Sequence, residues 1–98
     1  MLKVGDSIEL PRDVNVTRQG ETLRFEKGTV VYISGHGSVI TETGEELFLK
    51  TKYLSEGINI EGISGYISKK IFELKDEERT EKKVNEIITL YLKSFGVR

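Results

Sequence analysis

The sequence contains no cysteine and no tryptophan, and only one proline, one methionine and one histidine among 98 residues. Without cysteine there are no disulfides, no thiolate chemistry and no Cys-based zinc site. That usage fits a reducing compartment. Long apolar runs are missing too. None approaches the ~20 residues that span a bilayer, and Met1-Leu2-Lys3-Val4-Gly5-Asp6 lacks the apolar core of a signal peptide. The expected location is therefore cytoplasmic, with no membrane partner. Nor does one sign of charge dominate: the formal net charge is −1, with seven basic against eight acidic side chains in residues 1–54 and eight against eight in 55–98. Neither half is a basic domain, so nucleic acid is not an expected partner.

What the chain does have is β-prone sequence punctuated by glycine. The stretch Leu23-Arg24-Phe25-Glu26-Lys27-Gly28-Thr29-Val30-Val31-Tyr32-Ile33 organises the rest. It runs from an apolar pair through a turn at Lys27-Gly28, where Gly28 supplies backbone freedom, into a run of β-branched and aromatic residues suited to a packed strand. Before it, Val4, Ile8 and Leu10 alternate as in a first strand, which Pro11 either ends or follows on a sheet edge, and Val14 and Val16 share one face of a short extended piece. After it, Ser34-Gly35-His36-Gly37-Ser38 closes the strand. Val39-Ile40-Thr41 and Glu46-Leu47-Phe48-Leu49 then flank Glu42–Glu45 as a hairpin, followed by a polar connector, Lys50-Thr51-Lys52.

Residues 58–74 admit two readings. Ile63, Ile67, Ile71 and Leu74 fit a helix, but glycines at 57, 62 and 65 would cost a helix roughly 1 kcal/mol each, which favours a strand. Residues 76–95 are different in kind. Val84, Ile87, Ile88, Tyr91, Leu92 and Phe95 occupy roughly a 140° arc of a helix, opposite Lys82, Asn85, Glu86, Thr89 and Lys93. Asp76, Glu77 and Glu78 suit the positive end of the helix dipole, Lys93 suits the negative end, and Gly96 is placed to terminate it. A helix of this length is marginal alone in water, so the stripe needs cover: the sheet, a second copy or another protein.

Two segments together resemble SH3 domains and their bacterial SH3-like relatives. Glu21–Ile33 is similar to that family's apolar-x-Phe pair, Lys-Gly diverging turn and apolar strand. Gly65-Tyr66-Ile67-Ser68-Lys69-Lys70-Ile71-Phe72-Glu73-Leu74 is similar to its closing segment, a 3₁₀ turn and a short last strand. Residues 1–20 and the C-terminal helix lie outside the resemblance. It implies a small barrel. The family's groove for proline-rich peptides uses a Trp that is missing here, and Ser68 stands where a groove proline would be, so the likeness speaks to fold. Val4-Gly5-Asp6-Ser7-Ile8 and Lys27-Gly28-Thr29-Val30-Val31 are also similar to KOW-type barrels, which implies nucleic-acid association. Such a role calls for Lys3, Arg12, Arg18, Arg24 and Lys27 on one face.

Reactive constellations are sparse. His36, between Gly35 and Gly37, is either a general base on an exposed loop or the tip of a turn, and flanking glycines are what a turn needs. Glu45-Glu46 and Asp76-Glu77-Glu78 lack the His, Asn or EF-hand spacing of metal ligands. Lys69-Lys70 and Lys82-Lys83 are interleaved with Glu73, Glu77, Glu78 and Glu81. Tyr32, Tyr53 and Tyr66 suit a binding face or a barrel core equally. The expected fold is mainly β: an SH3-like small barrel of five or six antiparallel strands over residues 1–74 and an amphipathic α-helix over 76–95, within a single domain, 1–98. Its core would draw on Val4, Ile8, Phe25, Val30, Ile33, Ile40, Leu47, Leu49, Ile67, Ile71 and Leu74. The expected function is a non-catalytic protein-binding module, a small regulatory, inhibitory or assembly protein, with a KOW-like nucleic-acid-associated factor as the alternative. Composition alone is also similar to that of phage and mobile-element accessory proteins. The partner would be another protein or a second copy, met through Tyr32, His36, Tyr53, Tyr66, Ile88 and Tyr91. No cofactor, metal or small-molecule substrate is expected.

Overall fold

Gln19 and Gly20 alone join strand β2 (Val14–Arg18) to strand β3 (Glu21–Phe25), with φ of 50° and 80°. Positive φ at both central residues is what a type I′ turn requires, and its twist matches that of the strands it links. The computed structural model that shows this describes residues 1–50 and 52–97; Thr51 of the polar connector and Arg98 lie outside the described residues. Four more strands, β1 (Ser7–Glu9), β4 (Val30–Ile33), β5 (Val39–Thr41) and β6 (Glu46–Leu47), form an antiparallel sheet in the order β1-β4-β5-β6.

Alternation along these strands sends side chains to two different cores. Val31, Ile33, Val39 and Leu47 face one way, with Ile8, and pack against Val14, Val16 and Phe25 of the β2–β3 hairpin. Tyr32 and Ile40, partners across β4 and β5, face the other way and meet the helices. Three layers result: hairpin, sheet and helix pair. Val30, expected in the core, sits at the start of β4 opposite Glu9 and is 36% exposed, while Val31 takes the buried position.

Residues 58–74 are not a strand. Helix α1 spans Ile60–Phe72. Asn59 caps it, its Oδ1 accepting from the Gly62 N–H at 2.9 Å, and Ile63, Tyr66 and Ile67 bury one face. Gly62 is required for space rather than flexibility. A Cβ there would lie 2.3 Å from the carbonyl oxygen of Gly5, so glycine allows α1 to rest directly on the Gly5–Asp6 backbone. Burial and the cap together outweigh the glycine cost. The β region therefore ends well before residue 74, and residues 65–74 supply neither the 3₁₀ turn nor the last strand that the SH3 resemblance implies. Among the described residues, the hairpin and the four-stranded sheet share no ladder.

Helix α2 spans Glu81–Phe95, shorter than the expected 76–95. Asp76–Glu78 form a separate 3₁₀ turn, and Thr80 caps α2 by accepting from the Lys83 N–H at 3.2 Å. Gly96 ends it in the left-handed region. Most of the apolar stripe rests on the chain's own core: half-buried Ile87, Ile88, Tyr91 and Leu92 pack with buried Phe95 against Val4, Ile40, Ile63, Tyr66 and Ile67.

Candidate functional site

Four of the six predicted contact residues come together between sheet and helices. Tyr66 lies at the centre of an aromatic cluster, with ring centroids 5.0 Å from Tyr32, 5.3 Å from Tyr91 and 5.3 Å from Phe95, all edge to face. Its hydroxyl donates to the Thr41 carbonyl at 2.6 Å. Lys70 Nζ stands 5.4 Å from the Tyr66 ring centroid and donates to the Glu42 carbonyl. Burial, then the neighbouring Tyr91, pushes the Tyr66 hydroxyl far above the usual phenol range, and burial also raises that of Tyr91. Ile88 packs against the same cluster. These groups lock the helices to the sheet. The Tyr66 hydroxyl and the Lys70 ammonium are already partnered.

His36 lies elsewhere, exposed on the β4–β5 turn. Its Nε2 is 3.3 Å from the Lys93 carbonyl at the end of α2, and the Gly35 N–H donates to the Phe95 carbonyl at 2.7 Å. The turn thus docks on the C-terminal end of α2. A hollow of about 520 Å³ beside His36, Leu92 and Lys93 opens here, but the Lys93 carbonyl on its wall also accepts from the Gly96 N–H.

Tyr53 lines a second cleft, of about 430 Å³, on the hairpin side of the sheet. One wall is Pro11, Arg12 and Asp13 leading into β2; the other is the segment Phe48-Leu49-Lys50 after β6, with Tyr53. Val14, Val16 and Leu49 give it an apolar floor, and Phe48 stands 74% exposed at its edge. Among the described residues β2 pairs only with β3, so its edge along this cleft carries no strand. The two-residue turn makes Arg18 and Glu21 the hydrogen-bonded closing pair, and pairs alternate from there. Asn15 and Thr17 therefore point their N–H and C=O groups away from β3. Those groups meet no backbone partner among the described residues.

The charges around the cleft are unequally committed. Asp13 accepts from the Lys27 N–H at 2.7 Å and from Arg24 at 2.8 Å. The ion pairs among the described residues are Arg18–Glu45, Arg24–Asp13, Lys70–Glu73 and Arg79–Asp76, so Arg12 and Lys50 have no carboxylate partner there. The Lys27 N–H bond, with Arg24 beside it, holds the Asp13 carboxyl below its ordinary 3.8. The Lys3 N–H and the Asn59 side-chain amide do the same for Asp6. A carboxyl lowered on folding stabilises the fold above its unfolded value, and that contribution disappears as pH falls through the folded one. Denaturant midpoints are accordingly expected to hold down to about pH 4 and to decline below it. Asp6→Asn and Asp13→Asn should each start from a lower midpoint at neutral pH and show a shallower acid decline. Equal acid slopes in wild type and both variants would show that these bonds carry no stability.

Among the described residues no group of three or more His, Cys, Asp or Glu side chains is placed to hold a metal, and no helix is long and apolar enough to cross a membrane. Sequence reasoning found Tyr53 but missed Asn15, Phe48, Arg12 and Lys50. The Val14-Asn15-Val16 alternation and the adjacent pair Phe48-Leu49 were the available signals. No family model, no curated protein and no solved structure matches this chain.

Proposed function

We propose that this chain is a non-catalytic protein-binding module that takes an extended segment of a partner protein along the open edge of β2. The observation that carries this reading is the outward-facing backbone of Asn15 and Thr17 on the edge of β2, with Asn15 lining an apolar-floored cleft. Main-chain groups of an added strand satisfy such an edge, and alternate side chains fill the cleft beside it. The SH3-like small-barrel reading belongs to the same proposal. Its support is the β3–turn–β4 run through Lys27-Gly28 and the β4–β5–β6 meander. The nucleic-acid alternative is not favoured, because Arg18 and Arg24, two of the cations it needs, are engaged by Glu45 and Asp13.

Selection from a displayed library of random peptides tests the reading. Enriched peptides are expected to shift the amide resonances of Asn15 and Thr17 and to slow their hydrogen exchange. Asn15→Pro removes one edge donor without breaking any described bond, so it is expected to weaken binding about tenfold or more while far-ultraviolet circular dichroism is unchanged. Failure to enrich any peptide, or binding that leaves both amides and the Asn15→Pro variant unaffected, would reject this function.

A further inference from the structure

The cleft's charges say more about its occupant. Resting on the strand-addition reading, we infer that the segment bound along β2 is acidic, with apolar side chains at every second position and carboxylates between them. The apolar requirement follows from the floor. In a strand laid beside β2, side chains on the same face as Val14 and Val16 meet Leu49 and Tyr53, and Phe48 offers an exposed ring at the edge. The acidic requirement follows from the lining. Arg12 and Lys50 are exposed, border the cleft from its two walls and have no carboxylate partner among the described residues. Asp13, the one carboxylate in the lining, is paired with Arg24 and the Lys27 N–H and forms no ion pair with Arg12 or Lys50. A basic segment would meet two uncompensated cations. A neutral one would leave both unused. An acidic one completes them, as complementary rims do in protein interfaces.

The probes are two fluorescent peptides that alternate Val or Phe with a polar residue. One carries Asp and Glu at the polar positions, the other Asn and Gln. With the full chain at about 0.1 M salt, the acidic peptide is expected to bind roughly tenfold more tightly, as two partly exposed ion pairs together supply. The double variant Arg12→Gln, Lys50→Gln is expected to erase that difference, as is about 1 M salt, where screening acts within about 3 Å. Both peptides are expected to lose binding in Asn15→Pro.

The outcomes separate the two levels of the proposal. Equal binding of acidic and neutral peptides, both lost in Asn15→Pro, overturns the acidic assignment and leaves strand addition standing. Acidic binding that survives in Asn15→Pro, or that is insensitive to Arg12 and Lys50, overturns the site. If neither peptide binds, and sedimentation shows a dimer that Asn15→Pro dissociates, the occupant is a second copy and the acidic segment is rejected.

Discussion

Phe95→Ala is expected to lower the unfolding free energy by about 3–5 kcal/mol. Phe95 is fully buried, meets the Tyr66 ring edge to face and closes the sheet–helix core at the last turn of α2. Its carbonyl is also the acceptor for the Gly35 N–H, so any sag of the backbone would loosen the β4–β5 turn as well. Against a total of about 5–15 kcal/mol for a typical domain, this is a large fraction. Urea denaturation measures it, with an unchanged m-value marking a loss of stability rather than of cooperativity. Leu90→Ala, on the exposed side of the same helix, is the control and is expected to stay within about 0.5 kcal/mol. A loss below about 1 kcal/mol for Phe95→Ala would mean that α2 does not rest on the sheet.

Gly62→Ala and Gly65→Ala are expected to move stability in opposite directions, although both replace a glycine inside α1. A Cβ at Gly65 meets nothing within 4 Å, so alanine there gains helix propensity, roughly 0.5–1 kcal/mol. A Cβ at Gly62 runs into the Gly5 carbonyl, a backbone atom with no rotamer to escape through. The helix must shift, and the Asn59 N–H to Val4 carbonyl bond at 2.8 Å and the Asn59–Asp6 side-chain bond at 2.8 Å shift with it. Overpacking of this kind typically loses about 1–3 kcal/mol, which exceeds the propensity gain. Thermal melts of the two variants decide the matter. Stabilisation by both would mean that α1 does not touch the Gly5–Asp6 backbone.

The same pair of glycines explains what the residue pattern concealed. Gly62 and Gly65 look alike in sequence, and each argues against a helix by propensity. Only the proximity of Gly5, 57 positions away in the chain, makes the first one necessary. Where the signal was local, it was readable. The stripe from Val84 to Phe95 specified α2, and Gly96 marked its end. The Lys27-Gly28 turn, the strands either side of it and the 39–49 hairpin were likewise legible. Register was less so: Val30 and Val31 are chemically identical, and pairing with β1 decides which of them is buried. Of the cleft only Tyr53 was picked out, because its walls, residues 11–16 on one side and Phe48, Leu49, Lys50 and Tyr53 on the other, become neighbours only once the hairpin folds over the sheet. Tyr32, Tyr66 and Tyr91 suit a contact surface by composition, yet their rings are spent on one another.

The bonds that fasten the helices reach across most of the chain. Asn59 meets Asp6 over a separation of 53 residues, and His36 meets the Lys93 carbonyl over 57. Loops of that length must close before either contact contributes, and topologies dominated by such closures fold in milliseconds to seconds rather than microseconds. On a ribosome, the sheet and its hairpin would be complete while their helix-facing side, with Tyr32 and Ile40, still awaited α2. During synthesis that bare face is the one a chaperone would find.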